Sequence, residues 1–320
     1  MAAPTLPVAL ADVEAAAERI AAVAVRTPLL RLPLDGRVFV KPESLQRTGS
    51  FKFRGAFNAL AATPRERLAR GVVADSSGNH AQGVAAAAAI LGVPATIVMP
   101  ENAAPVKVER TAAWGAEIVR CRSSSEERER VAAEIRDGRG LEYVPPFDDA
   151  RIIAGQGTVG LELVSDLPDV ETVVVCVGGG GLISGVATAV RALRPGARVI
   201  GVEPDSAADA QQSLQEGRIV RWPAEAVRRT VCDGVRTQAL GELTFATISA
   251  LVDEIVTVSD EDVLDALRWA MLEAKLVLEP TGALTIAALR AGALVADGPT
   301  VLVASGGNVE PALLSSILGA

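Results

Sequence analysis

Short, almost purely apolar runs alternate along this chain with longer stretches in which apolar positions recur every three or four residues. The short runs lie at residues 38–40, 72–74, 95–99, 117–119, 172–177, 199–202, 255–258 and 301–304. Their length and their content of valine and isoleucine predict strands. Helical periodicity predicts helices near 9–24, 79–91, 105–114, 125–136, 151–165, 181–193 and 260–275. Strands that are apolar on both faces, with helices between them, imply an α/β fold of open, mostly parallel sheets covered on both sides. The alternation alone leaves open whether two sheets follow one another or interleave. Residues 122–140 carry the most charge and read as a solvated helix face, which Ser123-Ser124-Ser125 would cap. Pro145-Pro146 marks a turn and a crossing between domains.

Composition narrows the picture. A chain of 320 residues corresponds to about two domains. Its net charge of −8 argues against a nucleic-acid binder, which needs a concentrated basic face. No apolar run reaches membrane-spanning length, and Asp12, Glu14, Glu18 and Arg19 rule out a signal-peptide core in the N-terminal stretch. Cys121, Cys176 and Cys232 are odd in number and match no metal-binding spacing, so they read as reduced thiols in a cytoplasmic protein. With His80 the only histidine, imidazole acid–base chemistry and histidine metal sites have few candidates.

The basic residues are unevenly divided, because only Lys41, Lys52, Lys107 and Lys275 are lysines and the rest are arginines. Arginine holds its proton at any accessible pH, whereas a lysine can lose it and attack a carbonyl. Lys52 stands between Phe51 and Phe53, which would desolvate it, lower its pKa and favour imine formation. For Lys41, Lys107 and Lys275 the preferred reading is a surface lysine at the start of a helix, and Lys52 itself admits that reading.

Gly178-Gly179-Gly180-Gly181-Leu182 follows the most apolar strand and opens a helix. Successive glycine amides can converge there on an anion, aided by the helix N-terminus. The spacing is neither the dinucleotide fingerprint nor a P-loop, so a single phosphate monoester fits best. The alternative is a tight turn without a ligand, but four consecutive glycines are entropically costly. Ser76-Ser77-Gly78-Asn79-His80 and Ser305-Gly306-Gly307-Asn308 also follow strands, where ligands of open parallel sheets collect. A reactive lysine, a phosphate nest and a second anion loop together point to pyridoxal 5′-phosphate.

At these residues the chain resembles the serine/threonine dehydratase and serine racemase family, of the tryptophan-synthase β-like fold (PLP fold type II). The likeness runs nearly end to end. Its most specific pieces are Lys41-Pro42-Glu43, the stretch from Ser50 to Ala56, the loops at 76–80, 178–182 and 305–308, and Glu279-Pro280-Thr281-Gly282. The resemblance implies a small domain, residues 72–148, set into a large domain of residues 1–71 and 149–320. It makes Lys52 the Schiff-base lysine, packs Phe51 by the ring and hydrogen-bonds Asn79 to the ring's 3-oxygen. Gly178, Gly179, Gly180 and Gly181, with Leu182, would take the phosphate, and Ser305 would face the pyridine nitrogen. Ser76, Ser77, Gly78, Asn79 and His80 would hold the substrate carboxylate. Ser77 matches the serine that racemases use as a second base, opposite the lysine. Glu203, Asp209 and the Ala207 carbonyl match the family's cation site for magnesium, calcium or manganese. Arg128 aligns loosely with an arginine near the substrate entrance and stays outside the expected site.

The implied activity is α,β-elimination of water from L-serine or L-threonine, giving a 2-oxo acid and ammonia. Alternatives are serine racemisation, alone or alongside elimination, and dehydration of 3-hydroxyaspartate. A cysteine-synthase-like β-replacement fits the lysine context less well, and a non-catalytic cofactor binder is the reading from a different class. The expected partner is a small amino acid, with no nucleic acid or membrane, and the expected assembly is a homodimer. No regulatory domain is expected beyond residue 320.

Overall fold

The computed structural model describes residues 6–76, 78–103, 105–122 and 124–319. Among the described residues ten strands form two sheets: β1 (Leu30–Arg31), β2 (Val38–Pro42), β3 (Val72–Asp75), β4 (Ala95–Pro100), β5 (Glu117–Cys121), β6 (Glu142–Tyr143), β7 (Thr172–Cys176), β8 (Arg198–Pro204), β9 (Glu254–Val258) and β10 (Thr300–Ala304). The six-stranded sheet runs β1-β2-β10-β7-β8-β9 and the four-stranded sheet β5-β4-β3-β6. Only β1 is antiparallel to its neighbour; every other pairing is parallel. Both sheets are thus the open parallel kind that the apolar runs predict.

Every residue of β3, β4, β7 and β10 is buried, as strands covered by helices on both faces must be. β5, at a sheet edge, instead exposes Glu117 and Arg120, charges that discourage another chain from pairing there. The larger core surrounds β7, β8 and β10. The core of the four-stranded sheet also takes in Ile20, Phe53, Phe57 and Ile152, from outside residues 72–148. Among the described residues no helix is long and apolar enough to cross a membrane.

One helix, Ala150–Asp166, governs the geometry at the centre. It carries Gly155 and Gly157, and backbone approaches backbone at both. A Cβ on Gly155 would lie 2.6 Å from the Cα of Gly55, and a Cβ on Gly185 would lie 2.5 Å from the nitrogen of Gly157. The helices Lys52–Ala61 and Gly181–Leu193 are therefore drawn onto the same central helix, closer than any side chain would permit. Strand order completes the arrangement. Because β10 lies between β2 and β7, the loop after it falls between the turn that leads to Lys52 and the tetraglycine turn.

Candidate active site

Lys52 begins its helix immediately after a sharp reversal of the chain. Thr48 (φ 65°) and Gly49 (φ 73°) both take the left-handed conformation, which is strained for threonine. The loop after β10 holds this turn in place: Asn308 Nδ2 donates to the Thr48 carbonyl at 2.8 Å, the Gly307 amide to Gly49 O at 2.9 Å, and the Phe51 amide to Ser305 O at 3.1 Å. Two residues after Lys52, the fully buried guanidinium of Arg54 pairs with Glu43 (2.8 Å) and Glu162 (2.7 Å). Such a pair anchors the helix strongly against loss of either partner.

Lys41 belongs to the same network and departs from the sequence expectation. It lies on β2, not at a helix start, and is fully buried, with its amine 2.7 Å from Glu162 and 2.6 Å from the Thr27 carbonyl. Lys107 is half-buried in the helix Pro105–Ala112 and paired with Asp233, while Lys275 is exposed, just after the helix Asp260–Leu272.

The Lys52 amine points into a pocket lined by Phe51, Pro146, Phe147, Cys176, Thr281 and the four glycines. It donates to the Pro146 carbonyl at 2.7 Å and sits 5.3 Å from the centre of the Phe51 ring. Loss of water around it lowers its pKa from 10.5 to about 8. Burial likewise pushes the neighbouring Cys176 thiol up to about 11, so the thiol stays neutral. All three cysteines are free and buried.

The tetraglycine turn forms the opposite wall. Gly180 has φ +88°, and a Cβ there would press on Thr244, Ile248 and Leu240 at 2.9–3.0 Å. A Cβ on Gly179 would enter the Phe147 ring, 2.2 Å from Cδ1. The helix Gly181–Leu193 starts here, and Ser184 is the first residue whose amide bonds back to Gly180 O. The amides before it have no helical partner and, with the helix dipole, form an anion site. Phe147 belongs to a strap joining several parts of the pocket. Pro146 holds the lysine, Phe147 covers the glycines, and Asp148 accepts from the amides of Glu242, Leu243 and Thr244, capping that helix.

Beside the pocket lies the loop after β3. Ser76 Oγ accepts from the Gly78 amide at 3.2 Å, and Asn79 opens the helix Asn79–Leu91. Ser77 lies outside the described residues. His80 is buried, with Nε2 2.9 Å from the Val144 carbonyl, and burial lowers its pKa to about 3. Its neutral imidazole is turned into the core, which leaves its backbone amide as the group available to a substrate. Arg128 Nε lies 3.4 Å from Asp75, which precedes this loop. Ser305 is buried, with Oγ 3.5 Å from the Thr281 carbonyl and close to Cys176.

Sequence reasoning assigned no role to Pro146, Phe147, Cys176, Glu279 or Asn308. Glu279 accepts from Asn79 Nδ2 at 2.5 Å, and burial, reinforced by Asp233, raises its pKa to about 7. The Pro145-Pro146 turn and the Glu279-Pro280 piece were the available signals, yet neither says what faces the pocket.

These residues fit pyridoxal 5′-phosphate. A cradle that any Cβ would fill, donor amides and a desolvated amine in one pocket match a phosphate at one end of a ring and an aldehyde at the other. A second polar centre lies after β8. Glu203 is buried and accepts from the amides of Ala210 (3.1 Å) and Gln211 (2.7 Å). Burial and the nearby Asp209 raise its pKa well above the carboxylate range. Both carboxylate oxygens of Asp209 are buried without a hydrogen-bond partner, and burial raises its pKa to about 7. Two dehydrated carboxylates suit a hard dication. Among the described residues no group of three or more histidine, cysteine, aspartate or glutamate side chains converges, so backbone carbonyls would complete such a site.

The family model of the pyridoxal-phosphate dependent enzymes matches residues 20–306. Over 283 residues the chain is 46% identical to the L-threonine ammonia-lyase of Geobacter sulfurreducens, covering 88% of this chain and 69% of that one. It is 44% identical to the L-threo-3-hydroxyaspartate ammonia-lyase of a Pseudomonas species, covering 96% of this chain and 97% of that one. Among solved structures, maize serine racemase superposes with a TM-score of 0.92 at 35% identity, over 98% of this chain and 97% of that one.

Proposed function

Since this chain belongs to the family of pyridoxal-phosphate dependent enzymes, we propose that it is an ammonia-lyase that converts L-serine or L-threonine to a 2-oxo acid and ammonia. The observation that carries this reading is the Lys52 amine, desolvated to a pKa of about 8 in the same pocket as the tetraglycine turn.

Pyridoxal 5′-phosphate, when bound, supplies the electron sink that lets an amino acid lose its α-proton and its β-hydroxyl. The chain's own residues do the rest. Gly178 to Gly181 and Leu182 would hold the cofactor's phosphate through backbone amides, Phe51 and Phe147 would keep water away, and Lys52 would be the amine that binds its aldehyde. Ser76, Gly78, Asn79 and the backbone of His80 orient the substrate carboxylate. The neutral Lys52 Nζ would take the proton from the substrate Cα and return it to the β-hydroxyl, which would leave as water. Water then re-enters and the nitrogen leaves as ammonia. Ser305 would present a neutral hydroxyl to the ring nitrogen, which would not enforce a charge there and so would favour prompt loss of the β-substituent.

Racemisation of serine is the second reading, supported by the close superposition on maize serine racemase; in it Ser77 would exchange the proton on the face opposite Lys52. The Pseudomonas relative supports 3-hydroxyaspartate as a third substrate to try. We also assign magnesium, calcium or manganese to Glu203, Asp209 and the Ala207 carbonyl, supported by the unpartnered oxygens of Asp209. Residues 72–148 act as the small domain, set between 1–71 and 149–320. A homodimer follows from the family resemblance, and a cytoplasmic setting from the three unpaired thiols.

The test is direct. The protein with pyridoxal 5′-phosphate should absorb at ~420 nm, the band of the lysine-linked cofactor, and should release 2-oxo acid from L-serine or L-threonine. Lys52→Ala should abolish both. A variant that keeps the band, or a wild type that forms no 2-oxo acid from either substrate, refutes the proposal. Chiral analysis of residual serine decides the racemase reading.

A further inference from the structure

The polar groups around Asn79 form a chain that crosses from one sheet to the other. Arg110, on the helix Pro105–Ala112 beside the four-stranded sheet, donates Nη1 to Asn308 Oδ1 at 3.1 Å. Asn308 Nδ2 donates to Asn79 Oδ1 at 2.7 Å and to the Thr48 carbonyl at 2.8 Å. Asn79 Nδ2 then donates to Glu279 Oε1 at 2.5 Å. Asn308 is buried, and its amide is held at both ends by hydrogen bonds to Arg110, Thr48 and Asn79.

The direction of this chain follows from its ends. Arginine can only donate, and a backbone carbonyl can only accept. Asn308 must therefore present its oxygen to Arg110 and its nitrogen to Thr48. That choice leaves nitrogen, not oxygen, facing Asn79, whose oxygen must accept. Asn79 is thereby forced to point its amide nitrogen away from Asn308, toward Glu279. One of the two Asn79 amide hydrogens is taken by Glu279, and the other remains for a ligand.

We propose that Asn308 and Arg110 are positioning residues that lock the amide of Asn79 as a donor toward the 3-oxygen of the cofactor. This rests on the cofactor reading above. Were the amide to flip, its oxygen would face the cofactor's oxygen and repel it, so a small-domain arginine fixes the polarity of a contact it does not touch. The chain also ties the strained Thr48 turn, and so the entry of the Lys52 helix, to the same amide.

The test uses the holoenzyme and three variants. Asn308→Asp keeps the shape and still accepts from Arg110, but has no donor for Asn79 or Thr48. It should bind pyridoxal 5′-phosphate about tenfold more weakly and displace the ~420 nm band. Arg110→Met should shift both readouts in the same direction by a smaller amount, while Arg110→Lys, also donor-only, should stay near wild type. The cofactor-free melting temperature of Arg110→Met should not move, because this side chain is exposed. An Asn308→Asp holoenzyme with unchanged band and affinity overturns the proposal, as does equal behaviour of the two Arg110 variants. If Asn308→Asp does not fold, the Arg110 pair decides alone. A wild type that fails to bind the cofactor instead overturns the functional reading, which separates the two failures.

Discussion

Titrating the Lys52 amine in the cofactor-free protein probes the pocket without any turnover. Its pKa is lowered from 10.5 to about 8 by desolvation. At pH 7.5 about a quarter of the amines are then neutral, against ~0.1% for an ordinary lysine, a gain of about 200-fold in nucleophile. Capture of pyridoxal 5′-phosphate, followed at ~420 nm, should rise with pH, reach half its maximum near pH 8 and level off above about pH 9. The stability consequence runs the same way. Below pH 8 the folded protein carries a poorly hydrated ammonium, at a cost of at most about 3 kcal/mol. Between about 8 and 10.5 the folded amine has lost its proton while the unfolded one keeps it, so this cost fades as the pH rises. Lys52→Met should therefore stabilise the cofactor-free fold at pH 7, with the advantage vanishing near pH 10.5. A capture rate that keeps climbing to pH 10, or a methionine variant with no pH-dependent gain, refutes the argument.

Three further outcomes follow from packing and charge. Gly179→Ala drives a methyl into the Phe147 ring and should cost about 1–3 kcal/mol in denaturant melts and weaken cofactor binding, whereas Gly196→Ala, with nothing within 4 Å, should change stability by less than ~0.5 kcal/mol. Arg54→Met leaves the buried Glu43 carboxylate without its cation and Glu162 with Lys41 alone, and should destabilise by about 3–5 kcal/mol, measured by urea unfolding. Asp148→Ala removes the cap of the helix Glu242–Leu251, costs about 1–2 kcal/mol, and should lower the melting temperature by a few degrees.

Much of the architecture was readable because its signals are local. The all-valine core of β7 and the glycines after it declare a strand, a turn and a helix within a dozen residues, and the helices at 79–91 and 181–193 begin and end where periodicity places them. Lys41 was misread for the opposite reason. Its neighbours Val38, Phe39 and Val40 indicate a strand, but nothing local shows that Glu162, on a distant helix, would neutralise a buried amine. The strap residues Pro146 and Phe147 were likewise opaque, because what they touch depends on how a loop lies across two other elements. Glu279 entered the sequence reading only as part of the Glu279-Pro280-Thr281-Gly282 piece, because its contact with Asn79 brings together residues 200 positions apart in the chain.

The placement of β10 has a consequence for biosynthesis. This strand fills the gap between β2 and β7 in the six-stranded sheet, yet it is the last of the ten to leave the ribosome. Until it emerges, two apolar strands made much earlier present bare edges to each other with nothing between them. Pairing that spans nearly the whole polypeptide is slow and leaves those edges open to intruding chains. The nascent chain is thus most open to mispairing just before it becomes able to take up its vitamin-derived cofactor.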